Sequence, residues 1–194
     1  MSISGKETVC ILTNMDEPLG YAVGNSLEVI EAIKFLQGDM PKDLQEVVFE
    51  LGAYMIKLAG KGENIQENKE KMLSNIKNGK GYEKFLELVQ KQGGDVTYIK
   101  DINKIKKAKY IENIYSTKSG YIKEINAKEV GKIVCELGAG RIKKEDNIDY
   151  SVGIVLNKKV SDYIKENEKI ATIHANSKEK LENAKKQLIE IIKI

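Results

Sequence analysis

The chain of 194 residues is poor in the side chains on which many dedicated sites depend. It has one histidine, His174, and two cysteines, Cys10 and Cys135, which lie far apart in the sequence. This scarcity excludes a histidine-rich metal site, a zinc site built from CxxC pairs and a disulfide framework. Because both cysteines lie in apolar stretches, we expect them to be small buried side chains rather than reactive thiols.

Arginine and long apolar runs are equally scarce. Arg141 is the single arginine, which argues against a dedicated nucleic-acid binder, since such proteins use arginine on phosphates and bases. No apolar run nears the roughly 20 residues that a membrane-spanning helix needs, and the N-terminal residues lack the layout of a signal peptide. We therefore expect a cytoplasmic protein with no nucleic acid and no membrane among its partners. The pairs Lys106–Lys107 and Lys158–Lys159 are expected to be solvated charge.

The N-terminal half combines one apolar run with helical periodicity. Glu7–Thr13 is rich in β-branched residues and predicts a buried strand, of the kind found in parallel sheets. After a loop that ends at Gly24, apolar spacing and capping residues predict four helices. These run from Asn25 or Ser26 to Gly38, from Pro41 to Gly60, over 65–78 and over 81–92.

The C-terminal half changes to a period of two, which indicates short strands. The alternating segments are Gly120–Ile125, Gly153–Leu156 and Lys169–His174, and a capped helix follows from Ser177. We therefore predict an α/β chain, or α+β when it is taken as an isolated fragment. We predict three parts. Residues 1–94 hold a strand and the helical part of an α/β domain, with part of a mixed sheet. Residues 95–114 form a connector, and residues 115–194 form a barrel-sandwich-like β module with a terminal helix.

Three segments are candidates for a functional site. Asp16–Glu17 follows the predicted strand in a loop, where α/β proteins place ligand sites, although a simple turn before a helix is the alternative. Gly138–Arg141 has the glycines of a phosphate cradle but lacks the third glycine of a dinucleotide fingerprint, which favours a turn between strands. Residues 158–175 are similar in layout to lipoyl- and biotinyl-type carriers. The modifiable lysine of those carriers has no match here, so a packing module is favoured over a carrier.

Several long motifs resemble, in the same order along the chain, those of the pyrimidine-nucleoside phosphorylases and thymidine phosphorylases. Thr13–Gly38 resembles the family segment T/S-D-M-x-x-P-L-G-x-x-x-G-N-A-L-E-V-x-E-A. Gly93–Asp95 is similar to the family's Q-G-G-D element, and Leu137–Asp149 is similar to L-G-A-G-R-x-x-K-E-D-x-I-D. The resemblance covers essentially the whole chain and corresponds to the C-terminal portion of the family.

The resemblance implies a homodimeric pentosyltransferase, a glycosyltransferase of nucleoside salvage that uses phosphate and pyrimidine nucleosides as substrates. Its phosphate-binding K-H-S-T-G-G-x-G-D segment and its S-G-R-G-L-x-x-T-G-G-T signature have no counterpart in this chain. We therefore expect no catalytic residue here, no phosphorolysis by the chain alone, and self-association through surfaces that the longer enzyme buries. The alternative is a non-enzymatic module that reuses the fold to bind a small ligand or a partner.

One family site is implied within this chain. The resemblance implies that bacterial members bind a monovalent or similar cation near the phosphate site, through two carbonyls of the P-L-G-x-A loop and the glutamate of L-E-V-x-E, together with groups from the part of the family that has no counterpart here, so that the site is incomplete in this chain. Carried over residue by residue, this implies carbonyl ligands at Leu19 and Ala22 and a carboxylate ligand at Glu31. Such oxygen donors suit a hard cation, here potassium. The alternative is that Glu31 is an ordinary solvated helix acid.

Overall fold

The computed structural model describes residues 5–141 and 143–194, and these residues form two compact units. Of the described residues, the first unit takes 5–14 and 33–96, and the second unit takes the others. The helices are α1 (Asn25–Leu36), α2 (Lys42–Leu58), α3 (Ile65–Lys77), α4 (Lys80–Lys91), α5 (Thr97–Lys100), α6 (Ala127–Val134) and α7 (Lys178–Ile191). The strands are β1 (Ala22–Val23), β2 (Tyr110–Tyr115), β3 (Gly120–Tyr121), β4 (Glu124–Ile125), β5 (Gly153–Leu156), β6 (Tyr163–Ile164), β7 (Lys169–Ala175) and β8 (Ile192–Lys193). Among these described helices, none has the length and apolar content needed to span a membrane.

Helical periodicity predicted the four helices α1 to α4 correctly. Helix α1 begins at Asn25, and Gly38 follows its end with a positive φ of 101°. Pro41 precedes the first residue of α2, where its fixed φ suits a helix start and its missing N–H costs nothing. The Oδ1 atom of Asn64 caps α3 by accepting hydrogen bonds from the backbone N–H groups of Gln66 and Glu67. The mixed helical and sheet content of the chain is likewise confirmed.

In the first unit, α2 and α3 pack closely because small and polar side chains lie at their contact. A Cβ atom at Gly52 would lie only 2.3 Å from Cε of Met72, so glycine permits the close approach. Asn68 of α3 is fully buried, and its Nδ2 donates to the carbonyls of Ala53 (3.1 Å) and Gly62 (2.8 Å). These hydrogen bonds tie α3 both to α2 and to the connection between the two helices.

The strand predicted over Glu7–Thr13 is wrong. Residues 6–13 have no helical or strand assignment, and Leu12 is 99% exposed. An apolar β-branched run becomes a strand only where a neighbouring strand takes up its backbone hydrogen bonds. None of the described strands pairs with this segment, so its backbone has no ladder to join.

Both cysteines are exposed, contrary to the prediction that they are buried. Cys10 lies in the segment 6–13 just described. Cys135 begins one turn of π-helix, Cys135–Ala139, at the end of α6. In α6 the core positions are taken by Val130, Ile133 and Val134, and the next residue is turned towards solvent. Apolar neighbours in sequence therefore did not indicate burial, because the helical period decides which side chain faces the core.

The second unit is a small antiparallel β module covered by helices. Its main sheet has the strand order β1-β5-β7-β2, and two further pairs, β3–β6 and β4–β8, complete it. Ile154, Ile173, Ile133 and Leu188 are fully or almost fully buried and connect the sheet with α6 and α7 in one core. The predicted strands at 153–156 and 169–174 and the helix capped by Ser177 are confirmed. The division of the chain at 94/95 and 114/115 stays a prediction.

Candidate functional site

The loop from Asp16 to Gly24 is held from one side by the carboxylate of Glu31. Glu31 lies in the second turn of α1, and its Oε1 accepts hydrogen bonds from the backbone N–H groups of Tyr21 (2.8 Å) and Ala22 (3.2 Å). Gly20 has a φ of 67°, and a Cβ atom there would lie 2.4 Å from Oε2 of Glu31. Glycine is therefore the residue that lets this loop turn and lets the carboxylate lie against it.

The same loop is held from the other side by Lys159, which is only 9% exposed. Its Nζ donates to the carbonyls of Pro18 and Gly20, with a distance of 2.9 Å to Gly20, and it lies 3.7 Å from Oε2 of Glu17. That same Oε2 accepts a 2.9 Å hydrogen bond from the backbone N–H of Val160. The prediction that Lys159 is solvated charge is wrong, because the loop supplies oxygen partners that offset its burial.

Lys158 has different hydrogen-bond partners from those of its neighbour Lys159. Its Nζ lies 2.7 Å from a carboxylate oxygen of Glu168 and donates to the carbonyl of Tyr163 at 3.3 Å. These contacts lie within the stretch of chain between β5 and β7 and do not include the loop of residues 16–24. Two adjacent lysines thus have different environments, which the sequence pattern did not distinguish.

The carbonyl groups of the loop point in different directions. Those of Pro18 and Gly20 accept from Lys159, and that of Tyr21 accepts from the backbone N–H of Leu156 at 2.8 Å. Ala22 is paired with a residue of β5, and successive carbonyls of an extended strand point to opposite sides. The Ala22 carbonyl is therefore directed away from β5. Among the described residues, no side chain or loop N–H is hydrogen-bonded to the carbonyl of Leu19.

The predicted cation ligands are thus three oxygen groups around one short loop. The carbonyls of Leu19 and Ala22 are not hydrogen-bonded to Lys159 or to β5. The carboxylate of Glu31 places a negative charge at the same loop. Carbonyl and carboxylate oxygens are the donor chemistry that an alkali cation takes. Within the residues that the structure describes, no cluster of three or more His, Cys, Asp or Glu side chains suits a metal ion. Carbonyl ligands would therefore have to contribute to any cation site there.

The segment Gly138–Arg141 is not the predicted turn between strands, because Gly138 and Ala139 end the π-helical turn Cys135–Ala139 that follows α6. The carbonyl of Gly138 accepts from the backbone N–H of Asp149 at 2.9 Å, and that of Ala139 accepts from Nδ2 of Asn25 at 2.9 Å. Arg141 donates from Nε to the carbonyl of Asp146 at 3.2 Å. These contacts join the turn to the start of α1 and to the residues before β5, which is a structural role.

Asp149, shortly before β5, and His174, on β7, are two groups whose surroundings shift their pKa values. Burial raises the pKa of Asp149, but hydrogen bonds from Asn176 and Ser151 outweigh it and lower the pKa overall. His174 lies half-buried on β7, and burial lowers the pKa of its imidazole because the charged form loses hydration.

Comparison with known proteins agrees with this architecture. Residues 121–194, which include most of the strands of the second unit, match the family described as pyrimidine nucleoside phosphorylase C-terminal domain. The chain is 41% identical over 190 residues to a pyrimidine-nucleoside phosphorylase of Geobacillus stearothermophilus, which is 98% of this chain and 44% of the relative. It is 44% identical over 172 residues to that of Staphylococcus aureus (strain USA300), which is 89% of this chain and 40% of the relative.

The chain therefore spans less than half the length of these relatives. The similarity extends beyond the matched domain, since it covers nearly the whole chain and with it the loop that Glu31 and Lys159 hold. We conclude that residues 121–194 are a pyrimidine nucleoside phosphorylase C-terminal domain and that the chain as a whole is homologous to the pyrimidine-nucleoside phosphorylases.

Proposed function

We propose that this chain is the portion of a cytoplasmic pyrimidine-nucleoside phosphorylase that carries the C-terminal domain and one side of the substrate cleft. The reaction of the whole enzyme would convert a pyrimidine nucleoside and phosphate into the free base and a pentose 1-phosphate. The observation that carries this proposal is the 41% identity over 98% of the chain, combined with coverage of only 44% of that relative. By itself, the chain is proposed to be inactive.

The chemistry explains why a portion of this kind would not turn over. Phosphorolysis passes through a sugar with oxocarbenium character, so the rate depends on a positioned phosphate and on stabilisation of the leaving base. In this chain, the carboxylate of Glu31 and the ammonium group of Lys159 are hydrogen-bonded to the backbone of the loop and hold its conformation. Phosphate-dependent release of base from uridine, deoxyuridine and thymidine by the purified chain tests the proposal, and appreciable release would overturn it.

We propose further that potassium binds at the loop, held by the carbonyls of Leu19 and Ala22 and by the carboxylate of Glu31. The support is that Lys159 and β5 use neighbouring carbonyls and not these two, and that the carboxylate of Glu31 lies against Gly20. When bound, the ion would supply positive charge near the phosphate of the whole enzyme. The residues of this chain would orient the oxygen donors and hold the loop in the turn that presents them.

Thermal unfolding with and without potassium tests this site. Potassium should raise the melting temperature of the wild-type chain but not that of Glu31→Ala. The variant Glu182→Ala, which removes an exposed carboxylate of α7, is the matched control and should keep the potassium response. Equal melting of wild-type and Glu31→Ala chains in both salts would argue against the site.

We also propose that copies of the chain associate, as a homodimer or a larger assembly. Leu51, Met55 and Leu58 lie on one face of α2 and are 45%, 69% and 42% exposed. Exposed apolar side chains that share a helix face are typical of an interaction surface. Light scattering over a range of concentrations should show association that Met55→Glu weakens. A monodisperse monomer at every concentration would contradict this proposal.

A further inference from the structure

We infer that Lys159 is a positioning residue for the loop of residues 16–24: its ammonium group fixes the direction of alternate carbonyls and so determines which oxygens remain for a ligand. What the loop binds rests on the proposed cation site. The ordering of the loop by Lys159 rests on contacts within the second unit alone and stands apart from potassium.

Lys159 carries a buried charge. Lysine is almost never buried unless it is paired, because removing an ammonium group from water is costly. Here the ammonium group has three N–H donors, and it meets the carbonyls of Pro18 and Gly20 and the nearby carboxylate of Glu17. The cost of burying Lys159 is therefore offset only while the loop keeps this conformation, which couples the lysine to the loop.

The carbonyls of the loop alternate between those that Lys159 binds and those that it does not. Lys159 takes the carbonyls of residues 18 and 20, so the carbonyl of Leu19 between them is not used by it. Gly20 itself has a positive φ, and beyond it the carbonyl of Tyr21 accepts from β5, whereas that of Ala22 points away from β5. Without the ammonium group, the carbonyls of Pro18 and Gly20 would lose the hydrogen bonds that set them apart from the carbonyl of Leu19.

Electrostatic repulsion limits where a second cation could bind. A cation placed on the carbonyls of Pro18 or Gly20 would lie beside the ammonium group of Lys159 and be repelled by it. Glu31 lies on the other side of the loop, where its Oε1 holds the N–H groups of Tyr21 and Ala22. Lys159 thereby restricts a cation to the side of the loop that faces Glu31. In this way, the lysine determines which oxygen atoms of the loop can bind the cation.

Lys159→Met tests the inference, because methionine has a similar length and shape but no N–H donor. The matched control is Lys158→Met, which removes the neighbouring ammonium group that contacts Glu168 and Tyr163. The measured quantity is hydrogen exchange at the amides of Tyr21 and Ala22, with the amides of β7 as the internal reference for the core. Loss of a hydrogen bond to a charged group corresponds to about tenfold faster exchange or more.

We expect this acceleration at the loop in Lys159→Met and unchanged exchange in Lys158→Met, with β7 unaffected in both variants. Unchanged exchange at Tyr21 and Ala22 in Lys159→Met would overturn the inference. If Lys159→Met does not fold, Glu17→Gln decides the matter. It weakens one contact of the ammonium group, and it should accelerate the loop amides selectively; identical exchange to wild type would overturn the inference.

Potassium separates this inference from the proposed function. A wild-type chain that does not respond to potassium would refute the cation site, while the exchange result for Lys159 would still decide its positioning role. If potassium stabilises the wild type, the same stabilisation should be lost or strongly reduced in Lys159→Met and kept in Lys158→Met. A full potassium response in Lys159→Met would refute the claim that this lysine determines the ligand set.

Discussion

Replacing Gly20 by alanine should destabilise the second unit more than the backbone conformation alone explains. Gly20 and Gly60 have almost the same φ, 67° and 66°, but their surroundings differ. Nothing lies within 4 Å of a Cβ atom at Gly60, whereas at Gly20 it would lie 2.4 Å from Oε2 of Glu31. Left-handed strain costs roughly 1 kcal/mol at either site. Displacing the Glu31 carboxylate also weakens hydrogen bonds to a charged group, at about 2 kcal/mol. We expect about 3 kcal/mol for Gly20→Ala and about 1 kcal/mol for Gly60→Ala.

The assay is urea unfolding followed by NMR, read at resonances of β7 for the Gly20 variant and of α2 for the Gly60 variant. Reading each unit separately avoids assuming that both unfold in one transition. A double-mutant cycle then isolates the contact: in a Glu31→Ala background, Gly20→Ala should cost only the strain, about 1 kcal/mol. Equal costs for Gly20→Ala in the two backgrounds would refute the claim that the carboxylate lies against this glycine.

Three further predictions concern single side chains. NMR titration of His174, the one histidine, should give a pKa below the ordinary value of 6.5, since burial disfavours its charged form. Because the unfolded chain then binds more protons, the stability contributed by His174 should fall as pH drops from 6.5 towards the folded pKa, and a pKa above 6.5 would contradict this. Asp149→Asn should destabilise the chain at neutral pH. The difference in unfolding free energy between wild type and this variant, measured by urea unfolding, should vanish as pH falls from about 3.8 through the lowered pKa of folded Asp149. A difference that persists at lower pH would refute the stabilising role of the Asp149 carboxylate. Asn68→Ala should lower the stability of the first unit by about 2 kcal/mol, because the carbonyl of Gly62 loses its buried donor; a change below about 0.5 kcal/mol in urea unfolding would contradict that role.

The sequence predicted those elements whose signals are local. The helices α1 to α4 and α7 follow from apolar spacing, and Ser177 accepts the backbone N–H of Lys180 as its capping pattern implies. The strand at Gly153–Leu156 follows from a period of two. The sequence did not predict helix α6, although Asn126 caps it. The helix has only eight residues and lies between segments whose period of two indicates strands.

The parts that failed depend on contacts distant in sequence. A strand over Glu7–Thr13 needs a neighbour to pair with, and periodicity cannot say whether one is present. Lys159 binds a loop about 140 residues earlier in the chain, a contact with no signature in a pair of lysines. The loop itself was identified from its own residues and the resemblance that they carry, although the role of Gly20 depends on the position of the Glu31 carboxylate.

A phosphorolysis assay on the purified chain, with phosphate and potassium present, is the most direct test of the proposed function. Release of uracil from uridine and deoxyuridine and of thymine from thymidine is measured, with the intact Geobacillus stearothermophilus relative as positive control. A chain that is one portion of such an enzyme should release no base above the level without phosphate. Phosphate-dependent release by the chain alone would mean that its 194 residues build a complete active site, and it would contradict the proposal that they form only one portion of the enzyme.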